Sequence, residues 1–335
     1  MERLKTAIVG AGKMGEIHAR VYSELPQSNL IALVDIDRDK ASKLAKKYRC
    51  EAHETTAGLV GKVDAVTIAA PTTEHFNLAK PLIEAGIPVL IEKPLAAGTS
   101  QAQAIVDLAK QYNCLVAVGH SERCNPVVQA IKRLQIEPKF IESVRISPYP
   151  FRSTDVSVVH DVMIHDIDII LSLAASKVVS VEAVGIGVID PDTEDICNSR
   201  LTFENGCIAN VTASRLALKT ERKVRVFSRQ AYLSVDYFKK TGVCIKAAPN
   251  INVVEEIRRL KKAGTFSLLT KNWQDLLHVE KLDVDDKEPL RLEQEAFLQA
   301  VADKSLRPEV SAEEGLAAMQ CAEMIIEAMK KHKWD

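Results

Sequence analysis

Residues 6–15 read TAIVGAGKMG, an apolar run followed by the pattern Gly-x-Gly-x-x-Gly at Gly10, Gly12 and Gly15. The run 6–9 has the composition of a buried strand, and residues 14–25 continue with helical periodicity. Glycines between a strand and a helix permit a tight turn and the close approach of a pyrophosphate. Glycine triplets also arise by chance. The interpretation as a dinucleotide-binding turn therefore depends on the flanking strand and helix. Together they predict the first unit of a dinucleotide-binding fold.

Beyond this unit, short apolar runs alternate with helical patterns as far as residue 119. Such alternation predicts a parallel sheet with helices on both faces. After residue 121 come helical stretches and then short alternating runs with turn signals, which are typical of antiparallel sheets. The helical stretches are 125–134 and 156–174, and the runs are 178–189, 197–203, 207–214, 223–228 and 231–235.

The sequence therefore predicts an α/β chain with two domains. The first, 1–120, is an NAD-binding Rossmann domain with a doubly wound parallel sheet. The second, 121–335, is an α+β domain for substrate binding and oligomerisation, with a large and mostly antiparallel sheet. Two helical stretches near the end of the chain, 292–302 and 312–331, are candidates to pack against the first domain.

Composition argues against several classes of protein. The 335 residues are 47% hydrophobic, which suits a large core and two domains. Lys and Arg (44) nearly balance Asp and Glu (45), so no overall field favours nucleic acid or a membrane surface. Neither a signal peptide nor a membrane-spanning run is visible, and the seven scattered cysteines suit reduced thiols. We therefore expect a cytoplasmic protein that binds a small molecule.

The glycine-rich turn leads into a predicted phosphate site. At the helix start, residues Lys13 and Met14 would direct unpaired amides and the positive end of the helix dipole at phosphate groups. Asp35 ends the next strand, twenty residues after Gly15. A carboxylate there can accept hydrogen bonds from ribose hydroxyls and would repel a 2'-phosphate. The predicted cofactor is NAD rather than NADP. Arg38 argues in the opposite direction, because an arginine near this position can accommodate a 2'-phosphate.

Glu92-Lys93-Pro94 follows the apolar run 89–91, at the end of a strand where doubly wound sheets place their ligands. Proline biases Lys93 towards extended backbone geometry, so its side chain can be directed into the crevice. A lysine in a partly desolvated site can exchange a proton with a substrate hydroxyl. Taken alone, a lysine at a strand end is more often an ordinary surface residue.

Three motifs together resemble a known family. Residues 10–15, the stretch APTTEH at 70–75 and Glu92-Lys93-Pro94 are similar to successive signatures of the glucose-fructose oxidoreductase, inositol dehydrogenase and MocA (Gfo/Idh/MocA) family. The resemblance covers nearly the whole chain and implies that Lys93 contacts substrate and nicotinamide. The other residues assigned to the cofactor groove on this basis are Pro71, Thr72, His75, Glu92 and His120. For His75 the alternative is a helix-start histidine that touches solvent.

Residues 160–168 read HDVMIHDID, which places five Asp or His side chains in an otherwise apolar helical stretch. Core helices rarely contain so many polar residues. Asp161 and His165 are four apart and share a helical face, so the carboxylate can orient the imidazole to take a proton from an alcohol. The resemblance implies the same, because the inositol dehydrogenase branch carries a catalytic Asp-x-x-x-His here. A metal site and a structural network are the alternatives, and the spacing of His160 and His165 argues against the metal.

Residues 119–126 read GHSERCNP and follow the last run of the predicted parallel sheet. They resemble a stretch, with phenylalanine in place of Cys124, in family members that oxidise the 3-hydroxyl of UDP-N-acetylglucosamine, including those that supply lipid A synthesis. We expect Cys124 to alter packing around the sugar. Charge-assisted hydrogen bonds from arginine could hold a diphosphate. The candidate substrate contacts are Lys93, Arg123, Asn125, Arg152 and His165, with Arg215 as a further candidate for the diphosphate.

The leading hypothesis is an NAD-dependent oxidoreductase that oxidises a sugar ring hydroxyl, the 3-hydroxyl of UDP-N-acetylglucosamine, to a keto group. Lys93, Asp161 and His165 are its predicted catalytic residues, without a metal. The alternatives are an inositol or free-sugar dehydrogenase and, from another class, a non-catalytic regulatory protein that binds the cofactor. A broad apolar face of the antiparallel sheet would suit a homodimer or homotetramer. The sequence leaves open the number of subunits, the ring position and the direction of reaction.

Overall fold

The computed structural model describes residues 3–149, 156–247, 253–262 and 277–332. The strands are β1 (Leu4–Val9), β2 (Ser28–Val34), β3 (Glu51–His53), β4 (Ala65–Ile68), β5 (Val89–Glu92), β6 (Val116–Gly119), β7 (Phe140–Ile146), β8 (Val178–Ile186), β9 (Ile196–Phe203), β10 (Ile208–Ser214), β11 (Glu221–Phe227), β12 (Tyr232–Asp236), β13 (Thr241–Ala247) and β14 (Leu277–Lys281). The α-helices are α1 (Lys13–Glu24), α2 (Arg38–Tyr48), α3 (His75–Glu84), α4 (Thr99–Gln111), α5 (Pro126–Arg133), α6 (Ile164–Ala174), α7 (Val253–Lys262), α8 (Pro289–Ala302) and α9 (Ala312–Met329).

Two compact units divide the chain. The first comprises Met1–Asn125 and Lys287–Met324, and the second Pro126–Asp286 and Ile325–Asp335. Segment 287–324 belongs to the first unit because α8 contributes Leu290, Phe297 and Leu298 to its core. This division differs from 1–120 and 121–335 in that segment. The assignment of cofactor binding and substrate binding to separate domains stays a prediction.

The first unit contains a six-stranded parallel sheet with the order β3-β2-β1-β4-β5-β6. Every residue of β4 and β6 is buried. Strands that are covered on both faces have no solvent side, which explains why these runs are nearly continuous in apolar residues. Because the strands are parallel, the turns after β1, β4 and β5 lie at the same edge of the sheet. The strand order reverses between β1 and β4, which is where such sheets bind their ligands. The predicted doubly wound parallel sheet is confirmed.

The second unit contains an eight-stranded sheet with the order β14-β13-β12-β11-β7-β10-β9-β8. Only the pair formed by β7 and β10 is parallel within this sheet. Burial alternates along β7, where Ile141, Ser143 and Arg145 face the interior, as expected for a sheet with one covered face. The mostly antiparallel sheet is confirmed, and β8–β12 match the predicted runs. Strands β7, β13 and β14 were not predicted.

Candidate active site

The turn after β1 contains two glycines that the packing itself requires. Gly10 has a φ of +105°, and a Cβ added there would overlap the carbonyl oxygen of Ala69. A Cβ at Gly15 would overlap the carbonyl oxygen of Gly10. Gly12 differs, because a Cβ there would meet no atom within 4 Å. The space beside Gly12 is therefore open to a ligand, whereas Gly10 and Gly15 close the turn.

Helix α1 begins at Lys13, and its N-cap residue, Gly12, supplies no side-chain hydrogen bond. The first amides of the helix are thus left for an anion, and the helix dipole adds to the attraction. Lys13 and Met14 are exposed beside them. This arrangement is the cradle that a pyrophosphate needs.

The Asp35 carboxylate is held at the end of β2 by two backbone amides. Its Oδ2 accepts a hydrogen bond from Ala11 at 2.7 Å, and its Oδ1 accepts one from Asp37 at 2.8 Å. Each oxygen retains a lone pair that a ribose hydroxyl can use. Arg38 is 80% exposed, and its Nε lies 3.5 Å from Glu54. The Asp35 carboxylate is therefore held in an orientation that suits a ribose. Arg38, in contrast, is a long side chain on the surface.

His75 joins two of the turns at this edge of the sheet. It is the first residue of α3 and is buried, so it is not the solvent-exposed residue of the alternative interpretation. Its Nδ1 lies 3.0 Å from the carbonyl oxygen of Pro94, and its Nε2 lies 3.0 Å from that of Ala70. Pro71 is exposed and Thr72 half-exposed in the same turn. Their contacts with the cofactor stay a prediction.

Glu92 ends β5 and anchors the backbone of Lys93. Its Oε1 lies 2.8 Å from Nε2 of His18, and its Oε2 accepts the Lys93 N–H at 3.1 Å. Burial by itself would raise the pKa of Glu92, but the hydrogen bond from His18, with smaller contributions from Lys93, outweighs it and holds that pKa below its usual value. Glu92 is therefore an ionised acceptor. Lys93 is half-buried, and its peptide bond to Pro94 is cis.

Sequence reasoning missed His18 and Gln294. His18 belongs to the buried stripe of α1 together with Gly15, Ala19 and Tyr22, and a histidine inside an apolar stripe is the signal that could have identified it. The amide nitrogen of Gln294 lies 2.7 Å from Nδ1 of His18, across 276 residues of sequence. No local pattern points to such a contact.

The segment after β6 is buried in the first unit. His120, Arg123 and Asn125 are each exposed by less than 5%. Nη1 of Arg123 lies 3.2 Å from Glu314, and the Asn125 amide donates to Glu122 at 3.2 Å. Burial in an ion pair favours a supporting role for Arg123, and its contact with substrate stays a prediction.

Cys124 is also buried, beside Phe297 and Val118 at a small cavity in the core of the first unit. Its departure from the phenylalanine of the resembling stretch therefore changes the packing of this unit.

In the second unit, the segment with Asp161 and His165 is not a regular α-helix. Val159–Met163 form a π-helical turn, and α6 begins only at Ile164. A π turn pairs residues five apart, so His160 as well as Asp161 lies one turn before His165. The argument from the spacing of His160 and His165 against a metal assumed a regular α-helix. All three side chains are half-buried, and π turns are frequent at functional sites.

Asp166 and Arg215 are held in buried ion pairs. Asp166 is buried, with its Oδ2 2.6 Å from Nε of Arg145 and its Oδ1 3.4 Å from Nη2 of the same residue. Arg215 is buried with its Nε 2.8 Å from Asp195, and its Nη1 donates to the carbonyl oxygen of Val156 at 2.8 Å. These contacts favour a structural role for Arg215, and its contact with a diphosphate stays a prediction. Arg152 lies outside the described residues.

Metal binding and membrane insertion are two other functions that the described ranges bear on. No three His, Cys, Asp or Glu side chains there form a group that could hold a metal ion. None of the helices there combines the length and the apolar character needed to cross a bilayer. All seven cysteines lie within these ranges and none of them forms a disulfide; every one except Cys50 is buried.

Comparison with known proteins identifies both units. Residues 4–120 match the Gfo/Idh/MocA oxidoreductase family, described as an NAD-binding Rossmann fold, and residues 146–234 match the C-terminal domain of that family. UDP-N-acetylglucosamine 3-dehydrogenase from Acidithiobacillus ferrooxidans is 34% identical over 242 residues, 72% of this chain and 76% of that protein. Myo-inositol dehydrogenase Hyg17 from Streptomyces leeuwenhoekii is 30% identical over 207 residues, 58% of this chain and 62% of its own.

Solved structures agree with the sequence matches. The structure of the Acidithiobacillus ferrooxidans UDP-N-acetylglucosamine 3-dehydrogenase superposes with a TM-score of 0.86 and 29% identity, over 99% of each chain. Levoglucosan dehydrogenase in complex with NADH and levoglucosan gives a TM-score of 0.82 at 17% identity, over 100% of this chain and 99% of that one. The second match shows that the fold is shared.

Proposed function

This chain belongs to the Gfo/Idh/MocA oxidoreductase family, and we propose that it oxidises the 3-hydroxyl of UDP-N-acetylglucosamine to a 3-keto sugar with NAD. The observation that carries the proposal is the ordered turn Glu92-Lys93-Pro94, which presents a half-buried lysine at the same edge of the sheet as the phosphate cradle. The similarity to UDP-N-acetylglucosamine 3-dehydrogenase over most of the chain supports the choice of substrate.

The residues of the first unit fit NAD. The open space beside Gly12 and the uncapped start of α1 suit the pyrophosphate, and Asp35 suits the adenosine ribose. Ile36, which is 95% exposed beside Asp35, offers an apolar surface for the adenine ring. Bound NAD supplies the nicotinamide that accepts a hydride from the sugar carbon.

Proton transfer from the sugar hydroxyl is the task of the chain's own side chains. We assign it to Lys93 in the first unit and to His165, oriented by Asp161, in the second. The amine of Lys93 and the imidazole of His165 suit this work because side chains of these two types act as general acids and bases towards hydroxyl groups. Arg123, Asn125 and Arg152 are the remaining proposed substrate contacts.

The outward face of the sheet in the second unit supports a homodimer or homotetramer. Phe140, Phe227 and Tyr232 form an aromatic cluster there, with ring centroids 5.6 Å and 4.9 Å apart, and Phe227 is 38% exposed. Such a surface is typical of subunit contacts. A cytoplasmic location and a supply of 3-keto sugar for lipid A synthesis complete the proposal.

The deciding experiment measures NADH absorbance with NAD and, in parallel, UDP-N-acetylglucosamine, UDP-N-acetylgalactosamine, UDP-glucose, glucose and inositol. Hydroxylamine is included to trap the keto product, because an unfavourable equilibrium can hide turnover. Turnover restricted to UDP-N-acetylglucosamine supports the proposal. Turnover with inositol or glucose alone would replace it by the second candidate, which the similarity to inositol dehydrogenases favours. Binding of NAD without any trapped product would indicate a regulatory protein.

A further inference from the structure

The turn that carries Lys93 is hydrogen-bonded from both sides by buried histidines. His18 comes from α1 and His75 from α3, and they are exposed by 0% and 1%. They contact the two neighbours of Lys93 in the chain, Glu92 and Pro94.

His18 acts on the turn through Glu92. An ionised carboxylate only accepts hydrogen bonds, so the 2.8 Å contact requires an N–H at Nε2 of His18. Nδ1 is then the acceptor for the Gln294 amide at 2.7 Å. Hydrogen bonds are thus donated from Gln294 to His18 and from His18 to Glu92, which also accepts the backbone N–H of Lys93 at 3.1 Å. Helix α8, which carries Gln294, thereby supports the turn.

His75 acts from the other side. Both of its ring nitrogens lie 3.0 Å from carbonyl oxygens, one on Pro94 and one on Ala70. A ring between two acceptors ties the turn after β5 to the turn after β4, where Pro71 and Thr72 are found. The residues before and after Lys93 are therefore both fixed by a histidine, while its side chain remains half-buried.

We propose that His18 and His75 are positioning residues that hold Lys93 at the angle required for proton transfer. This inference rests on the proposed role of Lys93 in sugar oxidation. A small misplacement of a reacting group costs far more in turnover than in binding. Loss of either histidine should therefore lower kcat far more than it weakens the binding of NAD.

The test compares His75→Leu, which has no ring N–H, with His75→Gln, whose amide can still donate to one carbonyl. We expect kcat to fall about 30-fold in the leucine variant and to recover in part in the glutamine variant. In a Lys93→Ala background, His75→Leu should cause no further loss, because a residue that acts through Lys93 has no effect without it. His18→Leu should behave in the same way.

A second readout does not depend on turnover. The rate at which acetic anhydride acetylates Lys93, resolved by mass spectrometry, should rise several-fold in His75→Leu and in His18→Leu because the turn opens more often. Thr6→Val is the matched control. It removes a buried hydrogen bond of 2.9 Å between Thr6 and Ser28 in the same unit, and it should leave both kcat and the acetylation of Lys93 unchanged.

The inference would be overturned if the reductions in kcat from the histidine and Lys93 substitutions multiplied in the double variants. It would also be overturned if the acetylation rate of Lys93 were unchanged in the histidine variants. If His75→Leu does not fold, His75→Gln and His18→Leu decide by the same criteria. If the wild-type protein oxidises none of the sugars, the proposed function fails, and the acetylation rates still decide whether the histidines hold Lys93.

Discussion

The Lys93 turn in the first unit and the segment 159–168 in the second both carry proposed proton-transfer residues, yet they use buried polar groups differently. Around Lys93, the buried His18 contacts the carboxylate of Glu92, and the buried His75 contacts the backbone carbonyl oxygen of Pro94. In the segment 159–168, the buried Asp166 forms an ion pair with Arg145. The proposed residues Asp161 and His165 are half-buried.

The difference shows that burial of a charged group does not by itself indicate chemistry. Asp195 and Arg215 form a fully buried pair that resembles a functional cluster by composition, but their hydrogen bonds to Val188, Ile189 and Val156 tie one part of the second unit to another. What separates support from function in both regions is exposure, because a reacting side chain has to reach its substrate. Four predictions test this comparison.

The largest effect is expected at the proposed proton-transfer residues. Lys93→Ala should lower kcat about 10³-fold and His165→Ala about 10²-fold, the range for removing a general acid or base. Both should leave the free energy of unfolding within about 0.5 kcal/mol, since neither side chain is deeply buried. Steady-state NADH formation and urea unfolding measure the two quantities. Lys80→Ala, on the surface of α3, is the control, and undiminished turnover in Lys93→Ala would remove the lysine from the mechanism.

The reverse pattern is expected at Asp195. Asp195→Ala leaves the Arg215 guanidinium buried without its carboxylate, which should lower the free energy of unfolding by about 3 kcal/mol. Equilibrium unfolding in urea measures this loss. The surface change Glu137→Ala, whose carboxylate lies 3.8 Å from Lys139, should cost less than about 1 kcal/mol. Equal losses in the two variants would contradict the structural role of the buried pair.

The same pair predicts a pH dependence. Burial would raise the pKa of Asp195, but hydrogen bonds from Ile189, Arg215 and Val188 outweigh it and hold that pKa below its ordinary 3.8. The folded state therefore binds the proton less readily than the unfolded state does. The stabilisation is fully present above pH 3.8 and is lost as the pH falls through the lower folded pKa. The wild type should lose stability in that acid range faster than Asp195→Ala does.

The smallest effect is expected at the turn after β1, where substitutions of Gly12 and Gly10 should affect different properties. Gly12→Ala should weaken NAD binding about tenfold, or by about 1.4 kcal/mol, with no change in melting temperature, because the added methyl group occupies space meant for the ligand. Gly10→Ala should lower the melting temperature, since its Cβ would overlap Ala69. Calorimetry of NAD binding and thermal unfolding measure both. Normal NAD affinity in Gly12→Ala would place the pyrophosphate elsewhere.

Sequence patterns were informative where function depends on neighbours in the chain. The turn at Gly10–Gly15, Asp35 at the end of β2 and Lys93 at the end of β5 follow from local rules of strand, turn and helix, so they were predicted. The strands β7, β13 and β14 escaped prediction because charged residues and glycine interrupt their apolar alternation, as in FIESVRI at 140–146 and TGVCIKA at 241–247. Sheet pairing over long distances overrides such weak local preference.

Sequence by itself determined the fold class, the phosphate cradle and the lysine, because each is encoded within about thirty residues of continuous chain. Tertiary structure alone decided which polar residues serve those elements. It brought Gln294 to His18 across 276 residues, turned residues 159–163 into a π turn, and buried Arg215 against Asp195. Partners of buried polar groups are selected by the need to satisfy their hydrogen bonds inside the packed core, and that requirement leaves no periodic trace in the sequence.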